Sequence, residues 1–412
     1  MEIYHYNLGG DFLNKKETQG PLKGIVVLDL TNYLSGPLCT MMMADLGAEV
    51  IKIERFDKPK ASGPFLKGER VYDLSVNRSK KSICLNLKSD EGRKVFYELS
   101  KKADVVVENF KPGTVKRMKV DYDTIKEYKE NIIYASISGF GQTGPYSDRG
   151  ALDMVIQGMS GLMSLTGPPD GKSYKAGTSA SDIFSGLYTF GAISSALYYR
   201  AISGRGQYID VAMLDCTFSC LENAVINTLV FGENPKKMGN MHPTSVPFQT
   251  FDAADGEIII TCSRDPAFYR LCKAMDREDM IEDERYSKAE ARRKNRLLLE
   301  EEIEKFTKKY TLKELEEILN KFEVPNGVIN KMLDIVADPQ ISDRGMIAEV
   351  IHPIAGKYKM AANPIKYSLT KADTYFAAPV LGEDTEEVLK TKLNYSDEKI
   401  KNIIEEQKRD MK

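Results

Sequence analysis

The sequence predicts a doubly wound α/β fold accompanied by a second, smaller α+β domain, and three observations predict it. Short β-branched runs such as GIVVLDL, AEVIKIE and DVVVENF alternate with stretches of helical period, the order that builds βαβ units and a parallel sheet. Glycines and short polar residues fall at the joints between those runs, where caps and turns need them. Beyond residue 232 the composition shifts, first to a proline-containing polar segment and then to a hairpin and charged helices.

Residues 22–54 read as strand, helix, strand: GIVVLDL, then the apolar SGPLCTMMMADLG closed by Gly47, then AEVIKIE. KSICLNLK is the next strand. SDEGRKVFYELSKKA is a helix opened by the Ser89/Asp90 cap, and DVVVENF and NIIYASISGFG are further strands. Residues 181–202 form a long helix of small and apolar residues ended by Gly204. GQYIDVAML is a strand leading into one helix, DCTFSCLENAVINTLVFG. The segment 233–247 contains three prolines and reads as a linker. FQTFDAADGEIIITC is a hairpin about Asp255-Gly256, followed by helices over 285–309 and 311–322. The expected division is an N-terminal arm (1–21), a large domain (22–232), the linker (233–247), a small domain (248–330) and a C-terminal part (331–412) returning to the large domain.

Composition narrows the chemistry. With 58 Lys+Arg against 60 Asp+Glu, the chain has no bulk field that would draw it to nucleic acid or to an anionic membrane. No run of about 18 apolar residues suggests a membrane span, and the first twenty residues lack the apolar core of a signal peptide. A cytoplasmic protein is expected. The six cysteines are scattered without CxxC, and Cys216 and Cys220, one helical turn apart, read as a buried pair. Only His5, His242 and His352 occur, far apart, so no His-rich metal site is available and acid, base or nucleophile duty falls to carboxylates.

Three segments carry candidate chemistry. The first βα turn, TNYLSGP, lacks GxGxxG, so the dinucleotide reading invited by the βαβ start and by Glu54 is weak. The loop SGFGQTGP follows a strand; Gly139 and Gly141 allow its amides to approach a ligand, or merely allow a tight turn. Asp182 lies at a helix start after GTSAS. There the helix dipole would lower its pKa and keep it ionised, leaving it either a helix cap or a nucleophile toward an acyl group.

LSGPLCTMMMADLGAEVIKIER, NRSKKSICLNLKSDEGRKVFYELSKKADVVVENFKPGTVKRM, ISGFGQTGP, LDMVIQGMSGLMSLTGPPDG and ASDIFSGL resemble the family III CoA-transferases, a group that includes formyl-CoA and carnitine CoA-transferases and the α-methylacyl-CoA racemases. The likeness continues through GRGQYIDVAMLD, GNMHPTSVPFQTFDAADG, DPQISDRG and PVLGEDTEEVL. It implies a Rossmann-like large domain with an inserted small domain, an interlocked homodimer, and CoA thioesters as substrates with no tightly bound cofactor and no metal. It places the catalytic aspartate at Asp182 and makes Asp153 its acidic neighbour, an alternative being a buried hydrogen-bonded carboxylate. The resemblance further implies that Tyr33 and Leu34 face the active site, that Arg55, Leu85, Lys88, Asn109, Phe110 and Arg117 hold CoA, and that the acceptor is a carboxylic acid. Leu34 stands where formyl-CoA transferase has glutamine, which disfavours an oxalate-type acid. GNMHPTSVP replaces that enzyme's tetraglycine loop, and its His242 either faces the site or makes a structural hydrogen bond. The racemases carry histidine where this chain has Leu152, and leucine cannot exchange a proton. A non-catalytic CoA-binding protein is the remaining alternative.

Overall fold

The computed structural model describes residues 19–57 and 62–409; most of the expected N-terminal arm lies outside the described residues. The chain divides into two compact units, one drawn from the spans 1–160, 176–225 and 343–412, the other from Gly161–Lys175 and Ile226–Ser342.

The first unit is built on six parallel strands: β1 (Val26–Asp29), β2 (Glu49–Glu54), β3 (Lys81–Cys84), β4 (Val105–Glu108), β5 (Ile133–Ser138) and β6 (Gln207–Ala212). Their spatial order is β3-β2-β1-β4-β5-β6, parallel throughout. The order reverses direction between β1 and β4, where doubly wound sheets open a ligand crevice at the strand ends.

Because strand side chains alternate, consecutive residues feed two cores. Val27, Val50, Val105, Val107 and Ile133 pack on one face with Met43 of α1 (Ser35–Asp45) and Ile193 of a long helix described below. Leu28, Ile51, Val106 and Tyr134 pack on the other with Phe96 of α2 (Asp90–Ser100). The Ser89 cap is present: its side chain accepts from the Gly92 amide.

Helix α3 (Asp153–Met159) precedes α4 (Ala180–Ser203), which closes on Gly204 in the left-handed conformation at φ 73°. The single helix expected after β6 is two, α5 (Met213–Ser219) and α6 (Glu222–Phe231), because Glu222 turns into the left-handed region at φ 33° and breaks the ladder. None of the six cysteines is in a disulfide; Cys216 is buried, while Cys220 is partly exposed.

In the second unit β7 (Phe248–Asp252), β8 (Glu257–Thr261) and β9 (Asn326–Val328) form an antiparallel sheet, with β7–β8 the hairpin about Asp255-Gly256. Phe251, Ile258 and Ile260 bury against α7 (Asp265–Ala274), α8 (Arg296–Thr307) and α9 (Leu312–Lys321). The expected continuous helix over 285–309 is interrupted before α8. Asn295 donates its side-chain amide to the Arg285 and Ala291 carbonyls, competing with the helical ladder as asparagine does.

Two C-terminal helices of the first unit, α10 (Thr385–Leu393) and α11 (Asp397–Arg409), supply Val388, Leu389, Ile400 and Ile403 to the β3 side of its core. The outer edge of β3 is also closed there. The Ser82 amide donates to Asp384 at 2.8 Å, the Cys84 amide to Thr385 Oγ1 at 3.1 Å and the Asn86 amide to Gln407 at 2.7 Å. An edge strand that would otherwise offer bare amides is thus satisfied by side chains.

Candidate active site

The chain leaving β1 makes the sharpest turn of the site. Tyr33 holds φ 63° and is 68% exposed, a left-handed backbone that an aromatic residue adopts only when its surroundings fix it. They do so through a buried ionic cluster. Asp29, fully buried at the end of β1, accepts from the Thr31 amide (2.8 Å) and hydroxyl (2.5 Å), the Thr40 hydroxyl (2.7 Å) and Lys80 Nζ (3.0 Å). Lys52 Nζ lies 3.8 Å from the same carboxylate and donates to the Thr31 carbonyl, while Lys80 also donates to the Pro37 carbonyl. Burial alone would raise the Asp29 carboxyl; the two ammonium groups and two hydroxyls overcome it and hold it well below the carboxylate range. Burial depresses Lys80 to about 8. The first turn of α1 is therefore locked from beneath.

Above that turn sits a cleft of about 510 Å³ at the C-terminal ends of β1 to β4. Arg55, Leu85, Lys88 and Phe110, four of the residues expected to hold CoA, line it together with Asn32. Arg55 is exposed and pairs in bidentate fashion with Asp57 at 2.6 and 2.8 Å. Arg117 lies outside the lining and donates to Thr114 Oγ1, a lining residue, at 3.0 Å. Asn109 does not line the cleft either. Its Oδ1 accepts from the Asn32 amide at 2.8 Å, and its Nδ2 donates to the Asn32 carbonyl at 2.7 Å and to Ser35 Oγ at 3.3 Å.

Asp182 lies in the first turn of α4, yet it does not cap its own helix. Asp153 does, accepting from the Ser181 amide at 2.9 Å and the Asp182 amide at 3.4 Å. Buried Gln157 donates to the other Asp153 oxygen at 2.7 Å and to the Thr178 carbonyl, and its own oxygen accepts from the Ala176 amide. The Asp182 carboxylate is instead influenced by Ser35 at the start of α1, whose amide and hydroxyl favour its ionised form. The expectation of a lowered pKa is overturned. Burial first, and the Asp153 charge second, push Asp182 up to about 6 against the opposing influence of Ser35. Local sequence shows the dipole but neither the burial nor the second carboxylate.

Gly186, one turn beyond Asp182, lets α4 lie against the start of α1. A Cβ there would meet the Ser35 carbonyl oxygen at 2.7 Å. On helix propensity alone Gly186→Ala would stabilise by about 1 kcal/mol; the clash reverses the sign, and thermal denaturation is expected to show a lower Tm for the variant.

Tyr72, which sequence reasoning missed, belongs to the same group. Burial, then the charges of Asp182 and Asp153, raise its phenol to about 12, with Arg70 opposing. Nothing in RVYDLSV marks it, because its role depends on where a short helix (Val71–Val76) lands. In the glycine loop, Gly139 packs against Ala151, and the Gly141 amide donates to Ser138 Oγ at 3.0 Å, so that amide is engaged within the loop. Leu152 is exposed at the N-cap of α3. In the second unit, His242 accepts the Thr244 and Ser245 amides on Nδ1 and stacks on Phe248 at 4.9 Å, a turn-stabilising role. Among the described residues, no three His, Cys, Asp or Glu side chains cluster as a metal site requires, and no helix is long and apolar enough to cross a membrane.

A strand-end cleft with basic residues on its wall, together with a half-buried carboxylate pair at the start of a long helix, defines a ligand-binding enzyme of the α/β class. Known proteins narrow the class. The family model described as CoA-transferase family III matches residues 22–385. The chain is 38% identical over 389 residues to succinyl-CoA:glutarate CoA-transferase of Homo sapiens, covering 93% of this chain and 89% of that one. It is 39% identical over 384 residues to succinyl-CoA:mesaconate CoA-transferase of Haloarcula marismortui, covering 90% and 96%. Among solved structures, a CAIB/BAIF family protein from Brucella suis superposes with a TM-score of 0.80 at 39% identity, over 91% of this chain and all of that one. The chain belongs to CoA-transferase family III, an enzyme family that moves CoA between acyl-CoA thioesters and carboxylic acids.

Proposed function

We propose that this enzyme transfers CoA from succinyl-CoA to a short dicarboxylic acid of the glutarate or mesaconate type, through covalent intermediates on Asp182. The observation that carries the mechanism is the Asp182 carboxylate itself, half-hidden from water, beside the Asp153 charge and without a cation among its named neighbours. The dicarboxylate preference is drawn from the relatives' substrates.

An Asp182 oxygen attacks the thioester carbonyl; the C–S bond breaks and CoA thiolate leaves with the electron pair, giving an aspartyl–acyl anhydride. The thiolate then attacks the aspartyl carbonyl, releases the donor acid as its carboxylate and leaves an aspartyl-CoA thioester. The acceptor carboxylate repeats the sequence in reverse and restores Asp182. No net proton or electron is required, and the thioester's activation is conserved. Asp153 and Gln157 hold the first turn of α4 in place; Arg55 and Lys88 address the phosphates of CoA from the Rossmann-like strand-end cleft.

An interlocked homodimer is part of the proposal, supported by the apolar face of α4, where Leu187, Tyr188, Tyr198, Tyr199 and Ile202 are exposed in the single chain. The cytoplasmic location is supported by six cysteines of which none is in a disulfide. Leu152 argues against the racemase reading.

The test is incubation with succinyl-CoA and a panel of glutarate, mesaconate, oxalate and monocarboxylic acids, with new thioesters read by mass spectrometry. New dicarboxyl-CoA products are expected. CoA binding without any new thioester would leave a binding protein; scrambling at the α-carbon of a 2-methylacyl-CoA without transfer would leave a racemase.

A further inference from the structure

The loop that carries Lys88 on the wall of the strand-end cleft is held by the far end of the chain. Leu85, Asn86, Leu87 and Lys88 leave β3 in succession, and all four line the cleft. The Asn86 amide donates to Gln407 Oε1 at 2.7 Å, and Asn86 Oδ1 in turn accepts the Lys88 amide at 3.1 Å. The Asn86 carbonyl accepts from the Ser89 amide (3.0 Å) and hydroxyl (2.9 Å), which ties the loop to the start of α2. Gly92, in the first turn of α2, leaves room for this arrangement. A Cβ there would collide with the Asn86 carbonyl oxygen and come within 3.1 Å of Gln407 Oε1.

Gln407, on α11, is fully buried, and its Nε2 has no hydrogen-bond partner among the described residues. A buried donor left unmet offsets part of what the other half of the amide gains. Packing alone would be served as well by methionine, which has similar length and brings no such donor. What the glutamine adds is the acceptor it offers to Asn86. A second link reaches the same wall. The Gly382 amide donates to Ser82 Oγ at 2.8 Å, and Ser82 Oγ donates to Glu54, a lining residue, at 2.6 Å.

We propose that Gln407 is a positioning residue for CoA: it fixes the backbone at Asn86, Asn86 fixes that of Lys88, and the C-terminal helix thereby sets where the Lys88 ammonium meets a phosphate of the carrier. The inference rests on the reading of the cleft as the CoA site. Gln407 bonds to the Lys88 loop and not to the carboxylate pair, so its effect falls on the nucleotide end of the thioester rather than on acyl transfer.

The experiment measures kcat and KM for succinyl-CoA and for succinyl-pantetheine, which keeps the thioester but has no nucleotide. The proteins are wild type, Gln407→Met, Lys88→Ala and the double variant, each checked by its melting curve. Gln407→Met is expected to raise KM for succinyl-CoA about fivefold, as for one misdirected charge-assisted hydrogen bond. Its kcat should stay within about twofold, with KM for succinyl-pantetheine unchanged. In the Lys88→Ala background the same substitution is expected to add nothing, because both act through one ammonium group. Asn86→Ala cuts the next link; it is expected to reproduce the KM shift and serves in place of Gln407→Met if that variant does not fold. Equal losses for the two thioesters, or a Gln407→Met effect undiminished in Lys88→Ala, overturn the positioning role. An unchanged KM for succinyl-CoA in Gln407→Met, with a raised one in Lys88→Ala, overturns it too and leaves the cleft standing. An unchanged KM in Lys88→Ala overturns the reading of the cleft and the positioning role with it.

Discussion

Replacing Asp182 by alanine is expected to abolish CoA transfer and, at the same time, to make the protein more stable at neutral pH. The first effect follows from the covalent mechanism proposed above: without the carboxylate that mechanism forms no anhydride, and losses of at least about 10³-fold accompany removal of such a nucleophile. CoA affinity should stay within about tenfold, because the strand-end cleft is lined by other residues. The second effect follows from linkage. The folded protein holds the Asp182 carboxyl at about 6, against about 4 in an unfolded chain. Below pH 4 the group is protonated in both states and costs nothing. Between about pH 4 and 6 the unfolded chain loses this proton while the folded one keeps it, so the penalty grows across that interval and levels off above 6 at ~3 kcal/mol before solvent access is discounted. A net gain of ~2 kcal/mol at pH 8 that vanishes near pH 4 is expected by thermal denaturation of Asp182→Ala. A variant that is inactive but no more stable at pH 8 than at pH 4 would show that the site is not strained by this charge.

The largest loss of stability is expected at Lys80. Lys80→Met leaves Asp29 buried with Lys52 at 3.8 Å and its hydroxyl donors but without its closest cation. Breaking a buried pair in this way costs about 3–5 kcal/mol, and the remaining partners favour the lower end. A drop in Tm of ~10 °C follows for a unit of this size. The contribution has a defined pH window. Since the folded Asp29 carboxyl is held below its unfolded value, its stabilisation is complete at neutral pH and is lost as pH falls below about 4. Adding Asp29→Asn to Lys80→Met removes the stranded charge and should restore part of the loss. A double variant no more stable than the single one would assign the effect to packing instead.

Much of the sheet was legible because burial on both faces demands β-branched runs, and VVLD, VIKIE and VVVE are such runs. The strand order was not legible; crossover connections of similar length are compatible with several orders, and only packing selects one. Helix breaks at Glu222 and Asn295 escaped because the apolar period runs through both, while a backbone angle and a side-chain amide decide. The candidate nucleophile was reached by likeness of motif, since Asp182 in isolation reads as a cap. Its capping partner Asp153, 29 residues away, could not be paired with it from spacing. Ser35 and Tyr72 left no signal at all: a serine before Gly-Pro reads as turn chemistry, and a tyrosine in a short helix reads as packing.

The closure of the β3 edge bears on how the enzyme is made. Ser82, Cys84 and Asn86 wait for Asp384, Thr385 and Gln407, about 300 positions downstream. Leu85 and Lys88, which continue the same strand end, belong to the cleft wall. The strand that carries one wall of the cleft therefore gains its last hydrogen-bond partners only when residues 384–407 have left the ribosome.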